Sequence, residues 1–578
     1  MRLLATRLTA IASAVKRLFN PLSLFASGEQ GVWYDPSDFS TMFQDSAGTT
    51  PVTAVEQPVG LILDKSKGLV LGPELVTNGG FDTTSGWTLT ASATASAVIS
   101  GGSLSLVSDG TTCNATRADF IPVLGKTYTY TIVVTAASGG GSYLYMGNGS
   151  PAFTSPGTYT GKLLCTSVAW SISRVGGGAS SAAIDNISVR ELPGDHGKQA
   201  TAASRPVLSA RVNLLTYSED FSNAIWSKTD VTLAKSQTSS AGAANDAWLV
   251  TEGSAGTASV TQDSSVVAAG SAAAVRIVMK RGNTDWVRVG LYGGGFANYS
   301  VAWFNLATGV KGSVSNVGTS VGGTSQMTSL GGGFYELTVA CTPNSTYTTP
   351  KLGFLSANAD LSTTRVSGAT YTVERPQLET GSTATRYQSI TTATSYDTVG
   401  FPYYLKFDGV DDSLATAAIN FTSTDKMTVF AGVRKLSDAA VGLVVELSSD
   451  LNTNNGSFYV GAPANNGVAN TGFSVKGTIA SGASASSFAS PISAVVTGTA
   501  AISSPLIIQR RNGVQVSSSS AALGTGNFGN YNLYVGSRGG TTLPFNGHLY
   551  SLIIRGAASS ASQIASAESY VNSKTGAY

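Results

Sequence analysis

Short runs in which β-branched and aromatic residues alternate with small polar ones recur along the whole chain, each closed by a Gly-rich turn. KTYTYTIVVTAA starts at Lys126, GSYLYMG at Gly141, DWVRVGLY at Asp285, GGFYELTVACT at Gly332, MTVFAGVRK at Met427 and YNLYVGSR at Tyr531. A period of two is the signature of a pleated strand with one face in and one face out, and β-branched and aromatic side chains pack well on such a face. The pattern therefore predicts an all-β protein. At 578 residues the chain is too long for one core and implies about three or four domains.

Charge narrows the function. Only 12% of residues are charged, so hydroxyls and amides must cover the surfaces. With 35 basic and 33 acidic residues the net charge is +2, and no basic stripe exists to sit on phosphates, which argues against nucleic acid. No run approaches the roughly 18 apolar residues of a membrane helix, so no membrane insertion is expected. Cys113, Cys165 and Cys341 form no metal-binding spacing. A Cys113–Cys165 bridge stays open beside the expectation of free buried thiols.

Two segments depart from the β pattern. Leu4, Leu8, Ile11, Val15 and Leu18 make a heptad seam that ends at Asn20-Pro21, which predicts a short N-terminal α-helix within residues 1–30. So short a helix wants a partner, and we read it as an oligomerisation or docking segment. The other segment, SSASQIASAESYVNSKTG near the C-terminus, also reads as a helix.

Residues 31–71 read as an extended leader. Their GVWYDPSDFSTMFQDSAGTTPVTAVEQPVGLILDKSKG is similar to the leader of laminin-G-like, concanavalin A-like domains in bacteriophage structural proteins. In that family the leader runs into a Q-A-T-A-A-x-R-P stretch and then an F-D-G-V-D-D strand. Here DHGKQATAASRPVLSAR starts at Asp195 and YYLKFDGVDDSL at Tyr403, so the resemblance implies a parent domain split by two inserts. The first insert, 72–194, opens GPELVTNGGFDTTSGWTL and closes AAIDNISVREL, and it resembles carbohydrate-binding jelly rolls. Leu75, Val76 and Phe81 would start its edge strand, with a bulge at Gly79-Gly80. Residues 195–211 read as a linker. The second insert, 212–391, runs from VNLLTYSEDF to TATRYQSI and resembles another carbohydrate-binding-like jelly roll. Residues 396–578, with an Asn512-Gly513 turn and the closing helix, resemble the laminin-G-like sandwich. The expected fold class is thus all-β, two jelly rolls and one concanavalin A-like sandwich after a short α-helix.

The resemblance implies a phage virion protein, a tail fibre or receptor-binding adhesin that recognises host-surface glycan, polysaccharide or lipopolysaccharide. It also implies a homotrimer held to other virion proteins through the N-terminus. A capsid decoration or head fibre without glycan binding is the alternative. A glycan depolymerase is the third reading.

The residues give little support to catalysis. His196 and His548 are the only histidines, too few for an acyl-transfer triad or a His-rich metal site. Glycoside hydrolysis needs only two carboxylates, for which Glu374 and Glu379 are the nearest candidates, and the closing strand of a jelly roll implies packing for both. No enzyme activity and no required cofactor are expected. Asp408, Asp411 and Asp412 gather oxygens beside a tight turn, the donor type that Ca²⁺ prefers, against a reading as solvated turn residues. For a glycan site, sugars offer flat C–H faces to aromatic rings and hydroxyl edges to polar side chains. Trp87, Tyr143, Tyr145, Trp170, Trp226 and Trp286 are the candidates, and Tyr143 and Tyr145 stand on one face of one strand.

Overall fold

The computed structural model describes residues 19–254, 258–263, 272–293, 299–318, 320–342 and 351–578. The predicted N-terminal helix and its heptad residues fall outside the described residues. The rest is three antiparallel β-sandwiches, the fold class the alternation predicts.

The largest sandwich joins chain segments hundreds of residues apart. One nine-stranded sheet runs Gln57–Pro58, Val207–Ser209, Tyr404–Asp408, Asn546–Arg555, Lys426–Lys435, Ile492–Ala501, Leu506–Arg511 and Val514–Ser519, with Gly31–Tyr34 also pairing against Asn546–Arg555. Its partner sheet begins Met42–Phe43, Leu61–Ile62, Gly197–Lys198, Leu414–Asn420 and Asn530–Val535. The segments expected as a leader and a linker therefore supply short strands to both sheets. Strands of two to four residues hold too few positions for alternation to show, which is why the sequence reads them as irregular. Val32, Tyr34, Met42, Ile62 and Leu208 from these segments bury themselves with Phe407, Phe458, Phe473 and Ile554 in one core.

At the base of the first insert the chain is fastened by one carboxylate. Asp64 is fully buried and accepts hydrogen bonds from the backbone N–H groups of Trp33, Ser66 and Asp195, each at 2.8 Å, and from Ser66 Oγ at 2.8 Å. Its own N–H donates to His196 Nδ1 at 2.9 Å, and Tyr34 Oη donates to the Asp195 carbonyl. Burial pushes His196 down to about 3, so the ring stays neutral and free to accept. The second insert is tied by amides instead. Gln388 Oε1 accepts from the N–H groups of Val212 and Asn213, and its Nε2 donates to the carbonyls of Ala210 and Asp397.

The first insert packs a sheet ordered Asn148–Gly149, Ser142–Met146, Ser171–Arg174, Cys113–Arg117 and Trp87–Ala91 against one ordered Gly157–Leu164, Thr127–Gly139, Ser180–Leu192, Ser103–Ser108 and Ser96–Ser100. The edge strand expected from Leu75 to Phe81 is absent among the described residues. Only Glu74 bridges to Arg190, and the chain then turns inward at Gly79, where a Cβ would sit 2.0 Å from the Ile187 carbonyl oxygen. The second insert is a pair of six-stranded sheets. All three cysteines are buried free thiols. Cys113 Sγ and Cys165 Sγ donate to separate backbone carbonyls, of Ser96 and Ser167, so the bridge left open by the sequence does not form.

The C-terminal helix Ala561–Thr575 opens with a Ser560/Gln563 capping box and closes on Gly576 in the left-handed region. Its Ala567 and Val571 cover Trp33, Phe430, Val495 and Ile553 on the outer face of the first large sheet. That cover takes only part of the face. The remainder is open to the second insert.

Candidate functional site

In strand Ser142–Met146 the pleat sends Leu144 and Met146 into the core of the first insert and leaves Tyr143 and Tyr145 half-buried on the outer face. Their rings meet edge to face, with centroids 6.4 Å apart and planes at 83°. Gly149 lies against the first ring, and a Cβ there would come within 2.9 Å of it. The register fixes the neighbours. Tyr143 stands opposite Ser173 and Tyr145 opposite Ser171, whose hydroxyls are 2.7 Å apart. Asn114 is the next residue across from Ser173, and Thr90 lies beyond it, with Thr116 and Thr88 paired alongside. The face thus carries two aromatic rings beside a neutral field of hydroxyls and one amide. An aromatic surface rimmed by uncharged donors and acceptors suits a saccharide's alternation of C–H faces and hydroxyl edges. Asn114, Ser171 and Ser173 were not singled out from the sequence. Alternation within Cys113–Arg117 and Ser171–Arg174 gives their direction, and only the strand order brings them beside the tyrosines.

No family model matches the chain, and no curated protein does either. Solved structures offer limited likeness. The CBM40 of Ruminococcus gnavus IT-sialidase bound to α2,3-sialyllactose aligns at 15% identity over 25% of this chain and 82% of its own, with a TM-score of 0.21. The N-terminal CBM22-1–CBM22-2 tandem domain of Paenibacillus barcinonensis Xyn10C aligns at 12% identity over 54% of this chain and 98% of its own, TM-score 0.23. Domains LG4-5 of the mouse laminin α1 chain align at 10% identity over 59% and 90%, TM-score 0.22. Scores this low carry no argument about this chain, and the β-sandwich assignment rests on its own sheets.

The tryptophan candidates do not join the tyrosines. Trp87 and Trp170 are buried in the core of the first insert and Trp226 in that of the second, so none of the three offers a face to a ligand. Each indole N–H is used internally, on the carbonyls of Asn78, Arg117 and Tyr217 respectively. Trp87 and Trp226 share a device. Each donates to the carbonyl nine residues earlier, of a residue with φ near +50°, and each packs at a tilt against an intervening phenylalanine, Phe81 at 4.9 Å or Phe221 at 4.5 Å between centroids. A large ring after a Gly- or Ser-rich opening is thus the plug that closes the sandwich end. Trp286 is half-buried on the outer face of its sheet, grouped with Tyr292, Trp303 and Tyr299, on a different insert from Tyr143 and Tyr145.

The aspartates of the FDGVDD turn do come together. Asp408, Asp411 and Asp412 can each bring one oxygen within 4.8 Å of the others. Several of their oxygens already have work: Asp408 Oδ1 accepts from Val410 N at 2.8 Å, Asp411 Oδ2 from Ser204 Oγ at 2.8 Å, and Asp412 Oδ2 from Asp408 N at 3.0 Å. The cluster converges one oxygen from each of three carboxylates, fewer than the six to eight oxygens that Ca²⁺ takes, so it has the charge of a calcium site with part of its ligand set. Its immediate consequence is a proton. Burial, and then the charge of Asp408, push Asp412 up to about 7 from 3.8. Because the folded value lies above the unfolded one, the ionised form costs stability, from nothing near pH 4 to its full extent above pH 7. Asp412→Asn is therefore expected to raise the melting temperature at pH 8 more than at pH 5. Scans of both proteins in chelator at the two pH values check this, and an equal difference at both would refute it.

The two carboxylates nearest to a hydrolase pair are also engaged. Glu374 accepts from the N–H and hydroxyl of Ser240, and Glu379 from Gln377 Nε2 and from the N–H and hydroxyl of Thr385. Both are buried.

Proposed function

We propose that the chain is a glycan-binding adhesin of a bacteriophage virion, with the Tyr143/Tyr145 face of the first insert as its saccharide platform. The observation that carries the proposal is the juxtaposition of two outward tyrosines with Asn114, Ser171 and Ser173 on a rigid sheet. A site on paired strands is held in place by the ladder beneath it, so little conformational entropy is lost on binding. The virion setting draws its support from the leader and parent motifs, WYDPSD, QATAASRP and FDGVDD, and the presence of no catalytic constellation is an expectation within this reading. Host polysaccharide or lipopolysaccharide is the partner, and a homotrimer built through the N-terminal segment is the assembly.

The test is a glycan array followed by titration of the best saccharide. Removing one ring is expected to cost about 1–2 kcal/mol, a loss of roughly 5- to 30-fold, and Y143A/Y145A together on the order of 100-fold. Both side chains face outward, so the variants should melt as the wild type does. An array without a hit, or a double variant that binds as tightly as the parent protein, would remove the platform. Shortening of the polysaccharide by the pure protein would turn the reading towards a depolymerase.

A further inference from the structure

The outer face that carries Tyr143 and Tyr145 is ordered in two directions. Register lines up Tyr143, Ser173, Asn114 and Thr90 in one row across four strands. In the row beside it Tyr145 stands opposite Ser171 and Thr116 opposite Thr88, and the pairing of Ile172 with Ala115, carried one residue on, sets Ser171 next to Thr116. Each row starts at a tyrosine and ends at a threonine on Trp87–Ala91, the strand at the far edge of the sheet. Strands about 4.8 Å apart make each row about 14 Å long, and residues two apart along a strand set the rows about 7 Å from each other. The long dimension of the field therefore runs across the strands.

The groups in these rows are within reach of a ligand. Thr88 and Thr90 are exposed, and the other members are half-buried above the core residues Ala115, Leu144, Met146 and Ile172. Ser171 and Ser173 bond to each other, whereas the side chains of Thr88, Thr90, Asn114 and Thr116 and the two phenols make no hydrogen bond among the described residues. Their donors and acceptors face solvent, and a polyol can replace that solvent with its own hydroxyls.

The rows hold no ionisable side chain other than the phenols. A carboxylate or sulfate laid on this field would give up hydration without meeting a positive charge, while a hydroxyl would exchange one neutral partner for another. The face is thus built for length and against charge.

We infer that the face binds an uncharged oligosaccharide laid across the strands, about three sugar units long, the first against Tyr143 and Tyr145 and the third beside Thr88 and Thr90. The inference rests on the saccharide-platform reading and adds to it the direction, the length and the charge class of the ligand.

Titration of the full chain with cello-oligosaccharides and with malto-oligosaccharides of one to six units, two neutral ladders of different linkage, reads the length of the site. In the ladder that binds, the trisaccharide is expected to be tighter than the monosaccharide by about tenfold or more, with a gain of less than about twofold from four units to six. T88V/T90V keeps β-branched side chains on the strand and removes both hydroxyls, and it is expected to bring the trisaccharide down to about the affinity of the disaccharide. The C6-oxidised ladder, with a carboxylate on every unit, is expected to bind weaker than the neutral one by about tenfold or more. An affinity that is flat with length or still rising at six units, T88V/T90V titrating as wild type, an oxidised ladder that binds as tightly as the neutral one, or no binding of either neutral ladder would overturn the inference. Y143A/Y145A separates the two readings, since a loss of binding there beside a flat length series leaves the tyrosine platform standing and removes only its extension.

Discussion

Asp64→Ala is expected to lower the unfolding free energy of the parent sandwich by about 3–5 kcal/mol, because it takes the shared acceptor from two buried N–H groups and a part-buried third. The effect should exceed that of a typical core truncation in a chain this size, since the N–H groups belong to segments on both sides of the first insert. Loss of the carboxylate releases Trp33, Ser66 and Asp195 at once. Asp64→Asn keeps one acceptor oxygen and should fall between Ala and wild type. Hydrogen exchange across strands Gly31–Tyr34 and Asn546–Arg555 reads the change where it acts. A denaturation midpoint within experimental error of wild type would show that water can replace the carboxylate there.

Glu252→Ala should be as damaging, but confined to the second insert. Glu252 is buried, and its two oxygens accept from Ser356 N at 2.6 Å, Ser356 Oγ at 2.7 Å, Tyr371 Oη at 2.8 Å and Arg365 Nη1 at 3.0 Å. Removing the acid leaves a nearly buried guanidinium with only the more distant Asp230 carboxylate, at 3.8 Å, and strands a buried phenol, for which about 3–5 kcal/mol is the expected loss. Tyr371 is held well above its ordinary value by burial and then by Glu252, and the burial remains when the acid is removed. Limited proteolysis should then cut within 212–391 while the first insert and the parent persist. Cleavage spread evenly over all three sandwiches would show that the insert does not unfold by itself.

Different parts of this molecule were legible in the sequence for different reasons. Most strands of the inserts announce themselves because they run five to thirteen residues with alternation, as in Thr127–Gly139 and Ser180–Leu192. Tyr143 and Tyr145 could be placed on a common face from spacing alone. Spacing does not say which face is inside, and for Trp87, Trp170 and Trp226 the burial was decided by an indole N–H finding a carbonyl within the fold. Asp64 is invisible as a fastening because its meaning comes from Asp195, more than a hundred residues away. The row of Lys406, His548 and Arg434 on the parent sandwich is invisible for the same reason on a larger scale, since the three become neighbours only through a strand order that no local pattern encodes. What the sequence did carry at long range was the broken motif series, WYDPSD, QATAASRP and FDGVDD, whose pieces the sheets reunite in a single sandwich.

The pairing of Gly31–Tyr34 with Asn546–Arg555 has a temporal side. At roughly 5–20 residues per second, a ribosome needs on the order of half a minute or more to deliver the roughly 500 residues that separate Tyr34 from Leu552. During that interval both inserts are complete and able to close their own sheets, while Trp33 and Tyr34 have no strand to lie against. Contacts of such sequence separation close slowly even in a finished chain. The tyrosine face of the first insert is therefore expected to exist before the parent sandwich closes beneath it, and aggregation during production should track the waiting strands Gly31–Tyr34 and Val207–Ser209, not the insert sandwiches.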